Sequence, residues 1–374
     1  MKLRHFTFIL STLLIAAIFA DCNKKKDPVK EEETQEAAFD KPAMLANYAD
    51  NLILPNLQAF KASVDQLVSD YTAFNLNKTV ANLATLRQAY MNASVQFQHI
   101  STFEFGPSES EIIRSNFNTY PTDTTQVTNN IASGNYNLGI LSNLDAKGFP
   151  AIDFLLFGKN ETDVSIITRF NTVANRHAYV LACLTEIQTK TNTVINSWNT
   201  GYRNTFVAST GMQIGSSLGM MINQVNFEID VLKNSKLGIP LGKKSLGVKL
   251  PEKCEGYYAN TFSIKLAKEC LLNIEDVYLG RSAAGVNGKG IDDYLDALGT
   301  QHGSVSLNAA IQAQFAIAKT KLALVAEPLS ASVISDAAAV DAAYVEIVKL
   351  LVLLKTDVPS TLGIVITYQD GDGD

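Results

Sequence analysis

Apolar residues recur at helical spacing along most of this chain, and this pattern constrains the fold more than any other feature. Val80, Leu83, Leu86 and Tyr90 follow one another at steps of three or four residues, and the same steps run through residues 340–354. Such steps place apolar side chains on one face of a helix. The two-residue alternation that is typical of strands is scarce. The chain is therefore predicted to be all-α.

The helical period of the apolar residues predicts eight helical segments, which cover residues 42–74, 78–103, 147–156, 160–199, 206–235, 255–280, 302–327 and 331–357. They fall into two sets of four, so the predicted fold is two tandem four-helix bundles. The predicted domains are residues 41–203 and 204–374. The first includes a loop over residues 104–146, rich in Asn, Thr and Pro, and a loop of that length within a compact domain is usually functional.

The N-terminus has the features of an export signal. Lys2 and Arg4 precede residues 6–20, which carry no charge and are shorter than the roughly 20 apolar residues of a membrane span. Cys22 follows, and a charged stretch comes after it. We predict a signal peptide over residues 1–21, lipidation of Cys22 and a hydrated tether over residues 22–40. The lipid would anchor the exported chain to the bacterial outer membrane, either in the periplasm or on the cell surface.

Ordinary signal cleavage after Ala20 is the alternative, because Asp21 stands where a small residue is usual before a lipidated cysteine. The remaining cysteines are Cys183, Cys254 and Cys270. In an oxidising envelope two of them could form a disulfide, but buried thiols are the favoured prediction.

Charge and motif content exclude several classes of function. A formal net charge of −6 argues against a nucleic-acid partner, because phosphates are bound by a basic face. His99, His177 and His302 lack a second ligand type three or four residues away, so we interpret them as packing or surface residues. In the alternative, His99 or His177 meets Glu104 and Asp153 in space and forms a site.

One segment, residues 148–158, places an acid in strongly apolar surroundings. Gly148 tolerates unusual backbone angles, and Pro150 suits the first turn of a helix. Asp153 then lies in or near that turn, where a buried carboxylate needs a partner. An ordinary aspartate stabilised only by the helix dipole is an equally good interpretation of the spacing.

Five blocks in this order resemble the imelysin-like proteins of bacterial envelopes. They are residues 103–107, 118–123, 148–158, 236–242 and 369–374. Together they span the mature chain. The first resembles the family's FGP block and the fourth its GxPLG stretch. The third resembles the signature helix, in which GxHxxE precedes an apolar run that ends in glycine.

The resemblance implies an all-helical fold of two bundles and export, often as a lipoprotein. It also implies a connection with metal, since members are classed as metallopeptidases and linked to iron uptake through the GxHxxE motif. This chain departs from the motif, because Pro150 stands in place of the histidine and Asp153 in place of the glutamate. Proline offers no ligand atom, and one carboxylate cannot supply the three or four donors of a zinc or iron site.

We therefore predict no catalytic residue, no metal ligand and no cofactor, and we centre a binding site on Gly148, Pro150 and Asp153. If the family's geometry holds, Asp153 lies near the interface of the two bundles. Because the 104–123 loop carries the other family blocks, Glu104, Arg114 and Tyr120 are expected to complete the site. Arg114 and Tyr120 are the predicted hydrogen-bond partners of Asp153.

The favoured function is an envelope-anchored, non-catalytic binding module in iron or nutrient acquisition, with a cleft between the bundles. Its predicted partners are the membrane, through the lipid, and a small ligand, a metal or an envelope protein, with no nucleic acid. A metallopeptidase-like enzyme with a non-standard site is the alternative. A third interpretation is a purely structural interaction protein.

The Cys22→Ala variant tests the predicted anchor. Without the thiol no lipid can be attached, so the protein should move from the membrane pellet to the soluble fraction after cell lysis. Immunoblots of the two fractions would measure this shift. Membrane association that is unchanged in the variant would contradict lipidation at Cys22.

Overall fold

The computed structural model describes residues 39–282 and 284–367. The predicted signal peptide, Cys22, nearly all of the predicted tether and the block at residues 369–374 lie outside the described residues. Within them, no helix is long and apolar enough to cross a membrane.

The first half of the described chain is helical. Its helices are α1 (Lys41–Asn47), α2 (Leu54–Leu76), α3 (Val80–Gln98), α4 (Pro107–Ser110), α5 (Ile113–Asn118), α6 (Thr124–Ser133), α7 (Gly148–Phe157), α8 (Asp163–Thr172) and α9 (Arg176–Ser197). Helix α2 packs along α3 and α9, and α7 packs against both of these neighbours. A cluster of aromatic rings fills this first bundle, formed by Phe60, Phe97, Phe117 and Phe149.

The second half repeats this architecture with different helices and one short hairpin. Its elements are α10 (Arg203–Ala208), α11 (Ser217–Asp230), α12 (Ile239–Leu241), α13 (Ser263–Tyr278), α14 (Ile291–Leu298), β1 (Gln301–His302), β2 (Val305–Ser306), α15 (Leu307–Ala323), α16 (Leu329–Ser335), α17 (Ala337–Val352) and α18 (Val358–Leu362). A wider π-helical segment, Val231–Gly238, continues α11. Helices α11, α13, α15 and α17 pack into the second bundle. The predicted fold, two tandem four-helix bundles, is confirmed.

Several predicted helix limits are wrong. The segment at 160–199 is two helices, because the chain leaves the helical conformation at Val173 and Asn175 has a φ of 66°. The segment at 206–235 is interrupted between α10 and α11, and the one at 255–280 begins only at α13. Residues 302–306, predicted as the start of a helix, belong to the hairpin β1–β2, and the segment predicted at 331–357 is divided between α16 and α17 at Asp336. Helix α14 was not predicted, because it is too short to show a period of its own.

Two features join the halves of the chain. The backbone leaves the helical conformation at Gly201, which kinks the helix between α9 and α10 near the predicted boundary. Tyr48 follows α1, and its hydroxyl donates to the carbonyl oxygen of Val277 at 2.7 Å and accepts the amide of Ile291 at 3.0 Å. Residues next to α1 thus pack on the second half. The domain limits at residues 203 and 204 stay a prediction.

Candidate functional site

Helix α7 carries the residues that the sequence singled out. It begins at Gly148, whose φ is 67°, and a Cβ atom there would lie 2.3 Å from the carbonyl oxygen of Phe117. Any other residue would have to push α5 away from α7, so this close approach requires glycine. Pro150 lies in the first turn of α7, where its missing N–H costs no helical hydrogen bond.

Asp153 is buried in α7 and is held by the second half of the chain. Its Oδ2 atom accepts the backbone N–H of Tyr258 and its Oδ1 atom that of Ala259, both at 2.9 Å. Only 2% of the residue is exposed. The carboxylate thus joins the two halves, as expected, but the prediction that Arg114 or Tyr120 would be its partner is wrong. Consecutive amides of the loop before α13 fill that place.

Burial dominates the electrostatics of Asp153. Removal from water raises the pKa of Asp153 to about 7, and the two backbone hydrogen bonds oppose this rise without cancelling it. The proton on this carboxyl group therefore titrates close to neutral pH.

Arg114 connects the predicted loop to the second bundle. Its backbone N–H donates to both carboxylate oxygens of Glu104, at 3.2 and 3.1 Å. Its Nη2 atom donates to the carbonyl oxygen of Ser101 at 2.6 Å and to Oε2 of Glu228 at 3.3 Å. Burial raises the pKa of Glu104 to about 7, while the positive charge of Arg114 lowers it. Two of the predicted residues, Glu104 and Arg114, are therefore in direct contact.

A second ion pair lies beside the first. Lys236, from the segment that follows α11, donates to Oε2 of Glu255 and to Oε1 of Gln98. The other oxygen of Glu255 accepts from Gln98 at 3.1 Å and from Asn118 at 2.6 Å. Burial lowers the pKa of Lys236 most strongly, but Glu255, Cys270 and Glu228 together outweigh it, and the pKa is raised above its ordinary value.

We call these polar residues the interface network; its members are Gln98, Ser101, Arg114, Asn118, Glu228, Lys236 and Glu255. All of them except Glu255 border a cavity of about 180 Å³ between α3, α5 and α11, which we call the interface cavity. Tyr120 lines this cavity and also a smaller one, of about 20 Å³, beside Asp153. Of the predicted residues, Arg114 and Tyr120 line the interface cavity, and Pro150 and Asp153 line the smaller one.

Of the seven network residues, only Arg114 was predicted as a site residue from the sequence. Glu228, Lys236 and Glu255 look like solvated charges on helical segments, yet all three are buried. One local signal was available, because Glu228 stands between Phe227 and Ile229 and Lys236 precedes the apolar stretch Leu237–Leu241. Buried charges are paired as a rule, so an acid and a base that each lie in an apolar run are candidates for a buried ion pair.

The histidines do not join the site. The Nε2 atom of His99 lies 3.2 Å from Glu269, and the ring of His177 is hydrogen-bonded to Tyr71. Within the part of the chain that the structure describes, neither ring is hydrogen-bonded or ion-paired with Glu104 or Asp153. His302 is paired with Asp357.

Pro150 and Asp153, which the resemblance places at the motif positions, do not fit a metal. Pro150 has no donor atom, and both oxygens of Asp153 already accept backbone amides. Within residues 39–282 and 284–367, no group of three or more His, Cys, Asp and Glu could hold an ion. Cys183, Cys254 and Cys270 are buried free thiols.

Comparisons with known proteins agree on one family. The family model Peptidase_M75, described as Imelysin, matches residues 53–354. Iron-regulated protein A of Synechococcus elongatus is 22% identical over 347 residues, which cover 90% of this chain and 87% of that protein. These matches cover the whole two-bundle region.

Two solved structures share the fold. A protein of Parabacteroides distasonis, described as an iron-regulated protein A precursor, superposes with a TM-score of 0.72 at 15% identity, covering 86% of this chain and 95% of the other. An imelysin-like protein of Psychrobacter arcticum gives a TM-score of 0.65 at 17% identity, covering 90% and 98%. At these identities the likeness concerns the fold alone.

The Asp153→Asn variant tests the electrostatics of the site. In the folded protein Asp153 keeps its proton up to about pH 7, whereas in the unfolded chain it loses it near pH 4. Folding therefore takes up a proton between these values, and the free energy of unfolding falls as the pH rises from about 4 to 7. Glu104 acts in the same direction. Without Asp153 this fall should be less steep.

Urea unfolding at several pH values measures this slope. The variant should also be less stable by about 1–3 kcal/mol. Asparagine has one side-chain oxygen, so its NH₂ group would face one of the two backbone N–H groups and could not accept from it. Asp145→Asn, which changes an exposed carboxylate, is the matched control and should follow the parent protein. Equal slopes for the parent and Asp153→Asn would contradict the titration near neutral pH.

Proposed function

The chain belongs to the imelysin family, and on this premise we propose that it is an exported, lipid-anchored binding module that serves iron acquisition. The interface cavity carries the proposal, because it is the place where both halves of the chain bring charged side chains to one small space. The relative named iron-regulated protein A, from Synechococcus elongatus, supports the connection with iron. The apolar residues 6–20 and Cys22 support anchoring in the outer membrane.

The chemistry of the network favours binding over catalysis. Each of its charged side chains is already paired, Arg114 with Glu228 and Lys236 with Glu255. A nucleophile would need an activated form, but burial raises the pKa of Cys270, which lies 3.4 Å from Glu228, well above its ordinary value. Fixed, paired groups are suited to recognising a shape and a charge.

The size of the interface cavity favours a small ligand over a protein segment. A water molecule occupies about 30 Å³ of liquid, so 180 Å³ corresponds to about six waters. An envelope protein could still dock on the outside, and the membrane is reached through the lipid on Cys22.

Growth of a deletion strain under iron limitation tests the proposal. Removing the gene should slow growth in medium with an iron chelator and leave growth in iron-rich medium unchanged. The parent gene should restore growth, whereas Ser115→Leu should not, because the larger side chain fills the interface cavity that Ser115 lines. No described side-chain hydrogen bond is lost in this variant.

Thr193→Leu is the matched control, since Thr193 lies on the exposed face of α9 away from the cavity. It should restore growth as the parent does, and immunoblots should show equal amounts of both variants. Equal growth of the deletion and parent strains under chelation would contradict the role in iron acquisition. Full restoration of growth by Ser115→Leu would show that the interface cavity is not required for this function.

A further inference from the structure

We infer that the interface cavity binds the carboxylate group of a small organic acid, which Arg114 and Tyr120 recognise by donating hydrogen bonds. This inference rests on the proposed function and adds the chemical class of the ligand. It follows from which polar atoms around the cavity already have partners and which do not.

The carboxylate oxygens of the interface network already accept hydrogen bonds. Oε1 of Glu228 accepts from Ser101 at 2.8 Å and from the thiol of Cys270, and Oε2 accepts from Arg114. Both oxygens of Glu255 are likewise engaged, with donors on three side chains. A ligand that offered only hydrogen-bond donors, such as an ammonium ion, would find these carboxylates already paired.

Two donors remain without a partner. The Nε atom of Arg114 and the hydroxyl of Tyr120 are buried and make no hydrogen bond with the described residues. Such groups are rare in folded proteins, because a buried donor without a partner has lost its hydrogen bonds to water and gained none in return. Both belong to residues that line the interface cavity. A ligand that supplied acceptor oxygens here would satisfy them.

Charge alone does not favour an added anion, so a carboxylate here would be held by its hydrogen bonds. The carboxylates of Glu228 and Glu255 are matched by the cations of Arg114 and Lys236, so these four groups sum to zero. Arg114 touches Glu228 through a single nitrogen, at 3.3 Å, and not through the two-pronged geometry that guanidinium and carboxylate groups prefer. Its Nη2 atom also donates to the carbonyl oxygen of Ser101 and to Oε1 of Gln224, so the buried Nε–H is the donor of Arg114 that is left for a ligand oxygen.

The remaining walls set the size of the acid. Phe97, Phe227 and Val231 give the cavity an apolar side, and the guanidinium carbon of Arg114 lies 4.3 Å from the ring centre of Phe227. A volume of 180 Å³ holds about six to ten non-hydrogen atoms. A short aliphatic acid or a single-ring aromatic acid meets both conditions.

Calorimetric titration of the purified mature protein tests the inference. The probes are propionate, succinate and benzoate, each beside its neutral amide, with methylammonium and inorganic phosphate as further arms. At least one carboxylate should bind, and its amide should bind at least about tenfold more weakly, since a hydrogen bond to a charged acceptor is stronger than one to a neutral acceptor.

Tyr120→Phe is the decisive variant, because it removes one hydroxyl that has no partner and leaves the ring in place. Binding of the carboxylate should weaken about tenfold, whereas thermal stability should stay the same or rise. Tyr136→Phe, which alters a tyrosine beside α9 and outside the cavity, should bind as the parent does. A purely structural role of Tyr120 would change stability and leave affinity alone.

Three results would overturn the inference: no binding of any carboxylate, equal binding of acid and amide, or binding of phosphate or methylammonium alone. These failures are separate from failure of the proposed function. If Ser115→Leu fails to restore growth while no carboxylate binds, the cavity keeps its role and the ligand class is wrong. If a carboxylate binds but the deletion strain grows as well as the parent under iron limitation, the ligand class is supported and the role in iron acquisition is wrong.

Discussion

The buried ion pair of Lys236 and Glu255 is the interaction on which the arrangement of the two bundles depends. Both charges belong to the second half, but the amides of Gln98 and Asn118, from the first half, complete their hydrogen bonds. Taking two charges out of water is costly and is offset only when every donor and acceptor is matched. Moving the halves apart would remove those matches, so the pair holds them in one relative position.

The other contacts between the bundles follow from this position. With α3 set against α13, Ser101 and Arg114 reach Glu228, and Asp153 reaches the amides of Tyr258 and Ala259. Polar groups with fixed hydrogen-bond directions cannot interdigitate as closely as aliphatic ones. The interface therefore keeps a small polar cavity, whereas each bundle has a dense aromatic or aliphatic core.

The helices could be predicted from the sequence because apolar periodicity is a local signal that extends over many residues. The breaks at Asn175 and between α10 and α11 could not, since they depend on single backbone conformations. The proximity of Arg114, Tyr120 and Asp153 to the site was partly predictable, because these residues lie in or next to the blocks that resemble the family. Their partners were not, since backbone amides such as that of Ala259 leave no mark in a sequence. The equivalence of Pro150 and Asp153 with the family motif stays a prediction.

A double-mutant cycle on Lys236 and Glu255 tests the central claim most directly, by urea unfolding of Lys236→Met, Glu255→Gln and the double variant. Each single variant leaves the charge of the other residue buried without its ionic partner, so each should lose about 3–5 kcal/mol. The double variant should be more stable than the sum of the single changes implies, by about 1–3 kcal/mol. Losses that add within about 0.5 kcal/mol would contradict the account, since they would mean that the two groups do not act as a pair.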